Sequence, residues 1–366
     1  MKNILIISTV SRQFHLFERV NIEILKTLGF RVHAAASFED RSPALDEIDI
    51  VEHEISLTRF PISFANVKGL FELVKIIKDN NIEVVHCHSP SGGLIGRIAS
   101  RIAGVKNVYY TAHGFHFFKG APVANWLFFY PVEFFLSFLS TKLFVINKED
   151  YSLAKKSLHA KEIVFVPGVG INLTKFNGNS LTDIRDELGL STDKTIITTI
   201  GEFIERKNYP VTIESFSRMR NTDSVLIICG VGKLLNQMIE LAESLGVKER
   251  VYFLGYRKDI VNVLAGSDIF LFPSKQEGLP VSVMEAMASG LPVVCSKIRG
   301  NTDLITNRVN GFLCSSENIE EFTDYLDELA SDASLRKMMG QKNIEIVKCF
   351  STDAVKEVMY SHYSSL

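Results

Sequence analysis

The chain alternates short, wholly apolar runs with longer stretches in which apolar residues recur every three or four positions. The runs of the first half are NILIIS, RVHAAA, VVHCHS, VYYTAH, KLFVIN and IVFVPG; those of the second are TIITTIG, VLIICG, VYFLG, IFLFPS and LPVVCS. Runs this continuous belong to strands covered on both faces, and helices between them make the strands parallel. Two such series predict an α/β protein of two doubly wound, Rossmann-like domains. The break falls at PGVGINLTKFNGNS, residues 167–180, which is rich in Gly, Asn and Pro and has no periodicity. The expected boundaries are a first domain over 1–168, a linker over 169–180 and a second domain over 181–350. Open parallel sheets take ligands beyond the carboxyl ends of their strands. His88, His113, Gly168, Glu202, Gly230, Tyr256 and Glu277 all fall at or just past such ends.

Composition adds limits. The chain has 366 residues, 46% hydrophobic and 22% charged, which is enough for two buried cores. A net charge of −2 gives no case for nucleic acid. Residues 1–175 carry 20 Lys and Arg against 16 Asp and Glu, a net +4, while the remainder carries 20 against 26, a net −6. A mildly basic first half suits an anionic membrane surface or a phosphorylated partner. WLFFYPVEFFLSFL, residues 126–139, holds one charge, Glu133, and is too short to span a bilayer. The expectation is a face over residues 117–140 that dips into lipid, with Arg97 and Arg101 on a preceding helix adding to it or simply solvated. The five cysteines are scattered, as in a reduced cytosolic protein, and MKNILIISTV reads as a first strand, not a signal peptide.

The richest stretch for chemistry is KQEGLPVSVMEAMASGLPVV, residues 275–294. DIFLFPS before it is a strand. VSVMEAMAS is a helix closed by Gly290, with Pro280 close to its first position. The amides of Leu279, Val281 and Ser282 are then available to an anion or to sugar oxygens. Glu277 stands at the mouth of the turn and Glu285 about one turn inside the helix, so they suit two parts of an elongated ligand. Carboxylates accept paired hydrogen bonds from vicinal hydroxyls strongly. Arg206 and Lys207 follow TIITTIG and can hold a diphosphate whose charge grows as it leaves. Gly230-x-Gly232 lacks the third glycine and ribose acid of a dinucleotide site, which disfavours a nicotinamide-dependent oxidoreductase. His86, Cys87 and His88 lie together, but no acidic or Cys partner stands at metal spacing and no D-x-D ends a strand, so no metal is expected.

These motifs together resemble the retaining glycosyltransferases of family 4. The resemblance rests on the E-x7-E stretch around Gly-Leu-Pro, on VPGVGINLTKF and on GEFIERKN. HCHSPSGGLIGRIAS, TAHGFHFFKGAP and NWLFFYPVEFFLSFL…INKEDY resemble the bacterial exopolysaccharide and capsule branch. It covers about residues 1–345 and implies a GT-B fold, two Rossmann-like domains facing across a cleft. It implies a first domain, joined by a C-terminal helix at about 351–366, that binds acceptor, and a second that binds donor. His113 would reach the donor sugar with Glu277. Gly201, Arg206 and Lys207 would meet the diphosphate, Glu285 the ribose, and Tyr256 and Arg257 the base. Many members carry Arg where this chain has Glu202. In the loop STVSRQFHLF, Ser11, Arg12 and His15 stand near the place of a frequent Gly-Gly pair. With His88 and His116 they make the acceptor side. The implied reaction moves a hexose or N-acetylhexosamine from a nucleotide sugar, UDP-linked by the resemblance, to an undecaprenyl-type lipid-linked acceptor. No cofactor would be needed, and the enzyme would sit peripherally on the inner face of the cytoplasmic membrane. The rivals are a UDP-sugar epimerase of the same fold and a catalytically idle binding protein.

Overall fold

The computed structural model describes residues 2–39, 41–58, 63–176 and 184–366; residues 177–180 of the expected linker lie outside them. The chain divides into two compact units, Met1–Gly170 with Thr352–Leu366, and Ile171–Ser351.

The first unit holds strands β1 (Lys2–Val10), β2 (Phe30–Ser37), β3 (Val51–Glu54), β4 (Ile82–His88), β5 (Asn107–Ala112), β6 (Lys142–Val145) and β7 (Glu162–Phe165). They form one parallel sheet in the order β3-β2-β1-β4-β5-β6-β7. Its helices are α1 (Arg12–Phe17), α2 (Arg19–Thr27), α3 (Phe64–Asp79), α4 (Pro90–Ala103), α5 (Val123–Ser137) and α6 (Lys148–Ser157). One face of the sheet is buried under α3, α4 and α5, through Leu73, Ile77, Ile95, Ala99 and Phe117. The other is buried under α1 and α2, through Phe14, Ile22 and Leu25.

The second unit holds α7 (Ile184–Leu188), β8 (Thr195–Ile200), α8 (Tyr209–Ser217), β9 (Ser224–Cys229), α9 (Leu235–Ser244), β10 (Val251–Gly255), α10 (Ile260–Ala265) and β11 (Ile269–Phe272). It continues through α11 (Val281–Ala288), β12 (Val293–Ser296), α12 (Asn301–Leu304), β13 (Gly311–Cys314), α13 (Ile319–Ser331) and α14 (Ala333–Ile346). Its parallel sheet runs β10-β9-β8-β11-β12-β13. Every residue of β9 is buried, as a strand covered on both faces requires. The last helix, α15 (Thr352–Tyr363), belongs to the first unit, where Val355, Met359 and Tyr363 join the core beside α2.

Strand order reverses between β1 and β4 in one sheet and between β8 and β11 in the other. Such switch points open a crevice at the carboxyl ends of the strands. Ser11 and His88 lie at the first, Gly201 and the Glu277 turn at the second.

The structure corrects several sequence expectations. STVSRQFHLF is no loop: β1 runs to Val10 and α1 starts at Arg12. The turn into α11 is as expected: Pro280 stands next to its first residue, with extended φ −76° and ψ 119°, and Gly290 takes the left-handed conformation at φ 75° after the helix end. Arg97 is neither solvated nor part of a surface. It is buried and donates to both carboxylate oxygens of Glu133, at 2.6 and 2.9 Å, with its guanidinium 4.0 Å from the centre of the Tyr110 ring. Only a paired arginine is tolerated at such a depth. Two strands went unread, β3 and β13.

Candidate functional site

In the second unit the loop after β11 is fastened to the loop after β8. Lys275 N–H donates to Arg206 O at 2.7 Å, and the buried Ser274 hydroxyl donates to the same carbonyl at 2.9 Å. Asn208 sits in the left-handed conformation, φ 58°, and its side chain bridges Pro273 O and Ser316 O at 3.0 and 2.8 Å. These anchors bring Arg206, Lys207 and Glu277 together. Arg206 Nη1, Lys207 Nζ and the Ser274 hydroxyl all reach Glu277 Oε1, at 2.8, 2.7 and 2.8 Å. Lys207 also lies 4.6 Å above the Phe272 ring. Burial holds its ammonium below the usual lysine range; Arg206 adds to that and Glu277 opposes it. Two cations against one carboxylate leave the cluster net positive, as an anion site needs.

Gly201 lies against this cluster: its carbonyl accepts from Tyr209 Oη at 2.7 Å, and a Cβ there would sit 3.3 Å from the Lys207 chain. At Gly230 a Cβ would fall 1.8 Å from Gly201 O, so the two loops approach too closely for any side chain. Leu279 and Pro280 are buried and Val281 and Ser282 half-buried at the start of α11. Glu285 lies deeper on that helix; burial lifts its carboxyl to about 7, partly offset by Lys175. Tyr256 is exposed. Arg257 is committed to carboxylates, donating to Glu187 at 2.6 and 2.9 Å and to Asp259 at 2.8 and 2.6 Å. The structure therefore groups Gly201, Arg206, Lys207 and Glu277, and sets Arg257 in its own ion-pair network.

In the first unit His88 ends β4 and His113 follows β5. Gln13 Nε2 lies 3.1 Å from His113 Nε2 and 3.4 Å from Glu18 Oε1. His88 Nδ1 lies 3.0 Å from Glu18 Oε1 and 3.3 Å from His113 Nε2. Asn21 Nδ2 donates to the other Glu18 oxygen at 2.7 Å. Glu18, His88 and His113 each offer an atom within 4.8 Å of the others, the single grouping able to hold a cation among the described residues. The acidic partner absent from the sequence spacing is thus supplied by α1 and α2, through Glu18. Burial lifts Glu18 to about 7 and lowers His113 to about 4, and it takes His88 far below the usual histidine range. Both imidazoles are neutral at pH 7. His86 is turned away, bonded to Tyr363 Oη at 2.6 Å and Thr111 Oγ1 at 2.8 Å. Ser11 is buried, its N–H on Ser37 O at 3.0 Å, while Arg12 is exposed and His15 half-buried. His116 stacks on Phe129 at 4.6 Å and its carbonyl accepts from Asn125, so it helps seat α5.

Sequence reasoning missed Gln13, Glu18, Ser274 and Asn208. Glu18 had left a signal: Phe14, Glu18, Ile22 and Leu25 share one helical stripe, and an acid on an apolar stripe needs a buried partner.

On known proteins the comparisons agree. "Glycosyl transferases group 1" matches residues 181–345, and "Glycosyl transferase 4-like" matches residues 3–147. The chain is 32% identical over 373 residues to EpsD of Bacillus subtilis (strain 168), covering 100% of this chain and 97% of that one. It is 32% identical over 306 residues to the UDP-Gal:alpha-D-GlcNAc-diphosphoundecaprenol alpha-1,3-galactosyltransferase of Escherichia coli, covering 80% and 79%. Anabaena HepE, crystallised with UDP and glucose, superposes with a TM-score of 0.84 over 100% of both chains at 18% identity, a likeness of fold. With two parallel-sheet Rossmann-like units of GT-B type and relatives matched end to end, the chain belongs to glycosyltransferase family 4, among the bacterial exopolysaccharide and capsule glycosyltransferases.

Proposed function

We propose that the protein transfers a hexose or N-acetylhexosamine, with retention, from a UDP-sugar to a saccharide on an undecaprenyl-diphosphate lipid, without a metal. The observation that carries this is the net positive cluster of Arg206, Lys207 and Glu277 at the β8/β11 switch point. Such a cluster neutralises a departing diphosphate, and the Glu277 carboxylate can take sugar hydroxyls. Glu285 and the start of α11, over Leu279 to Ser282, would meet the ribose and phosphate, and the exposed Tyr256 the base. The second unit is accordingly the donor domain. The first, with α15, is the acceptor domain: Ser11, Arg12, His15, His88 and His116 border the acceptor and His113 meets the transferred sugar. The relative that acts on an undecaprenol-linked sugar supports this class of acceptor.

The enzyme would work peripherally on the cytoplasmic face of the membrane. No helix among the described residues is long and apolar enough to cross one. Yet α5 exposes Val123, Leu127, Phe128 and Phe135 at 68 to 74%, a face suited to lying in an interface.

The test is UDP release from a panel of UDP-sugars in EDTA, with and without a lipid extract of the producing cell. Release from one sugar only with extract is expected. Conversion of the sugar without extract would instead indicate the epimerase, and no release with any sugar would sink the transferase reading.

A further inference from the structure

In the first unit Gln13, Glu18, His88 and His113 close a ring of four side-chain contacts. Gln13 presents two N–H groups, one to Glu18 Oε1 and one to His113 Nε2. A nitrogen facing an amide N–H must accept, so His113 Nε2 carries no proton and Nδ1 does. His88 Nδ1, 3.0 Å from Glu18 Oε1, is placed to donate to the ionised carboxylate, the form that prevails above about pH 7, which leaves its Nε2 as a buried lone pair without a partner. The opposite tautomer of His88 would bury an N–H without an acceptor, the costlier arrangement. Asn21 occupies the second carboxylate oxygen and fixes the plane of Glu18. Glu18 itself is 1% exposed at the α1–α2 junction, so its place is set by the backbone on both sides. The groups facing the ring from neighbouring elements are His86 on β4, whose ring lies 4.3 Å from that of His88, and Tyr363 on α15, which His86 engages.

We propose that Glu18 is the positioning residue of the His113 site: by drawing one N–H of Gln13 and the N–H of His88 to itself, it turns the other Gln13 N–H onto His113 Nε2 and fixes His113 as its Nδ1–H tautomer. The consequence for the reaction rests on the reading that His113 meets the transferred sugar. A His113 held this way can only donate from Nδ1, so its contact with a sugar oxygen is a given hydrogen bond and its orientation is shared by every molecule. Without the carboxylate the Gln13 amide is free to present its oxygen, and His113 must then carry its proton on Nε2.

The first measurement needs no variant: nitrogen-15 spectra of the histidine-labelled full chain on the alkaline side of pH 7, where Glu18 is a carboxylate, in which the two ring nitrogens of His113 report the tautomer directly. The expected result is protonated Nδ1 and bare Nε2. A predominantly Nε2-protonated His113 overturns the proposal, whatever the enzyme's activity. The second uses Glu18→Gln, which preserves size. Its His113 should show a mixed or reversed tautomer, and its kcat should fall on the order of 10-fold or more while KM for the donor changes less than about 3-fold. An unchanged tautomer in a folded Glu18→Gln protein also overturns it. Because the tautomer is read on the protein alone, failure of the transferase reading would show as absent turnover in the parent chain with the tautomer result intact.

Discussion

Glu277 Oε1 accepts from Arg206 and Lys207 at once, so the carboxylate is the counter-charge of both cations. A diphosphate brought to Arg206 and Lys207 competes for the same N–H groups. Glu277→Gln keeps an acceptor oxygen but removes the charge. It should lower turnover by about 10²-fold or more while tightening UDP binding by up to about fivefold, the worth of a partly exposed ion pair. Calorimetry with UDP beside a turnover assay checks both halves; weaker UDP binding would show that Glu277 builds the phosphate site instead of competing for it. Glu285 raises a separate question of pH. Its carboxyl is lifted from 4.5 to about 7 by burial. The folded chain then holds the proton more tightly than the unfolded one, so this contribution to stability is full below about pH 4.5 and is lost as pH rises through about 7. Glu285→Gln removes the dependence. Its thermal midpoint should exceed that of the parent by about 5 °C at pH 8 and match it near pH 5. Equal midpoints at both pH values would mean that Glu285 is ionised at little cost. Glu277 and Glu285 were singled out in the sequence by the E-x7-E stretch together with the family's other motifs, not by spacing alone. The partners of Glu18 could not be read, because that requires knowing that β4 and β5 bring His88 and His113 beside the α1–α2 junction, which is a fact of the sheet order.

At the scale of elements, strands buried on both faces were easy to read, since all residues of such a strand obey one rule. β3 and β13 escaped for opposite reasons. β3, Val-Glu-His-Glu, is a four-residue edge strand with alternating half-buried and exposed positions. β13, Gly-Phe-Leu-Cys, opens on a glycine directly after a turn and is too short to show a period. α5 shows how much one charge pair changes a reading. Its aromatics divide: Trp126, Phe129, Tyr130 and Phe134 pack inward, while Leu127, Phe128 and Phe135 face out. Glu133, the one acid in the segment, does not interrupt the outer face because Arg97 takes it inward. The outer face is therefore wholly apolar. Leu127→Ser, Phe128→Ser and Phe135→Ser together should cut sedimentation with phosphatidylglycerol vesicles about 10-fold or more. Turnover on a short-chain, water-soluble acceptor should stay within about twofold. Unchanged vesicle binding would move the membrane contact elsewhere. Breaking the staple is a different experiment: Arg97→Met strands a buried carboxylate and should cost about 3–5 kcal/mol, read as a lower denaturation midpoint.

For the whole molecule, the two units are not built alike. The second is one continuous stretch, Ile171–Ser351, with its own core running from Ile197 to Met339. The first is closed by a helix from the far end of the chain. That return was legible only through the family's fold; nothing in the periodicity of residues 352–363 says which sheet the helix will cover. Its contribution is plain in the packing. Val355, Met359 and Tyr363 are buried against α2 and the sheet, and Tyr363 holds the His86 ring at 2.6 Å. A chain ending at residue 351 therefore uncovers a core layer and strands a buried imidazole in the first unit, while leaving the second intact. Two fragments separate these consequences. Residues 171–351 alone should unfold in one cooperative transition and bind UDP within about threefold of the full chain, because Arg206, Lys207, Glu277 and Glu285 and all their partners lie inside that stretch. Residues 1–170 alone should lack a cooperative transition and regain one when a peptide of residues 352–366 is added. If the second fragment folds but does not bind UDP, the nucleotide site draws on residues of the first unit, and the assignment of donor binding to the second unit alone fails.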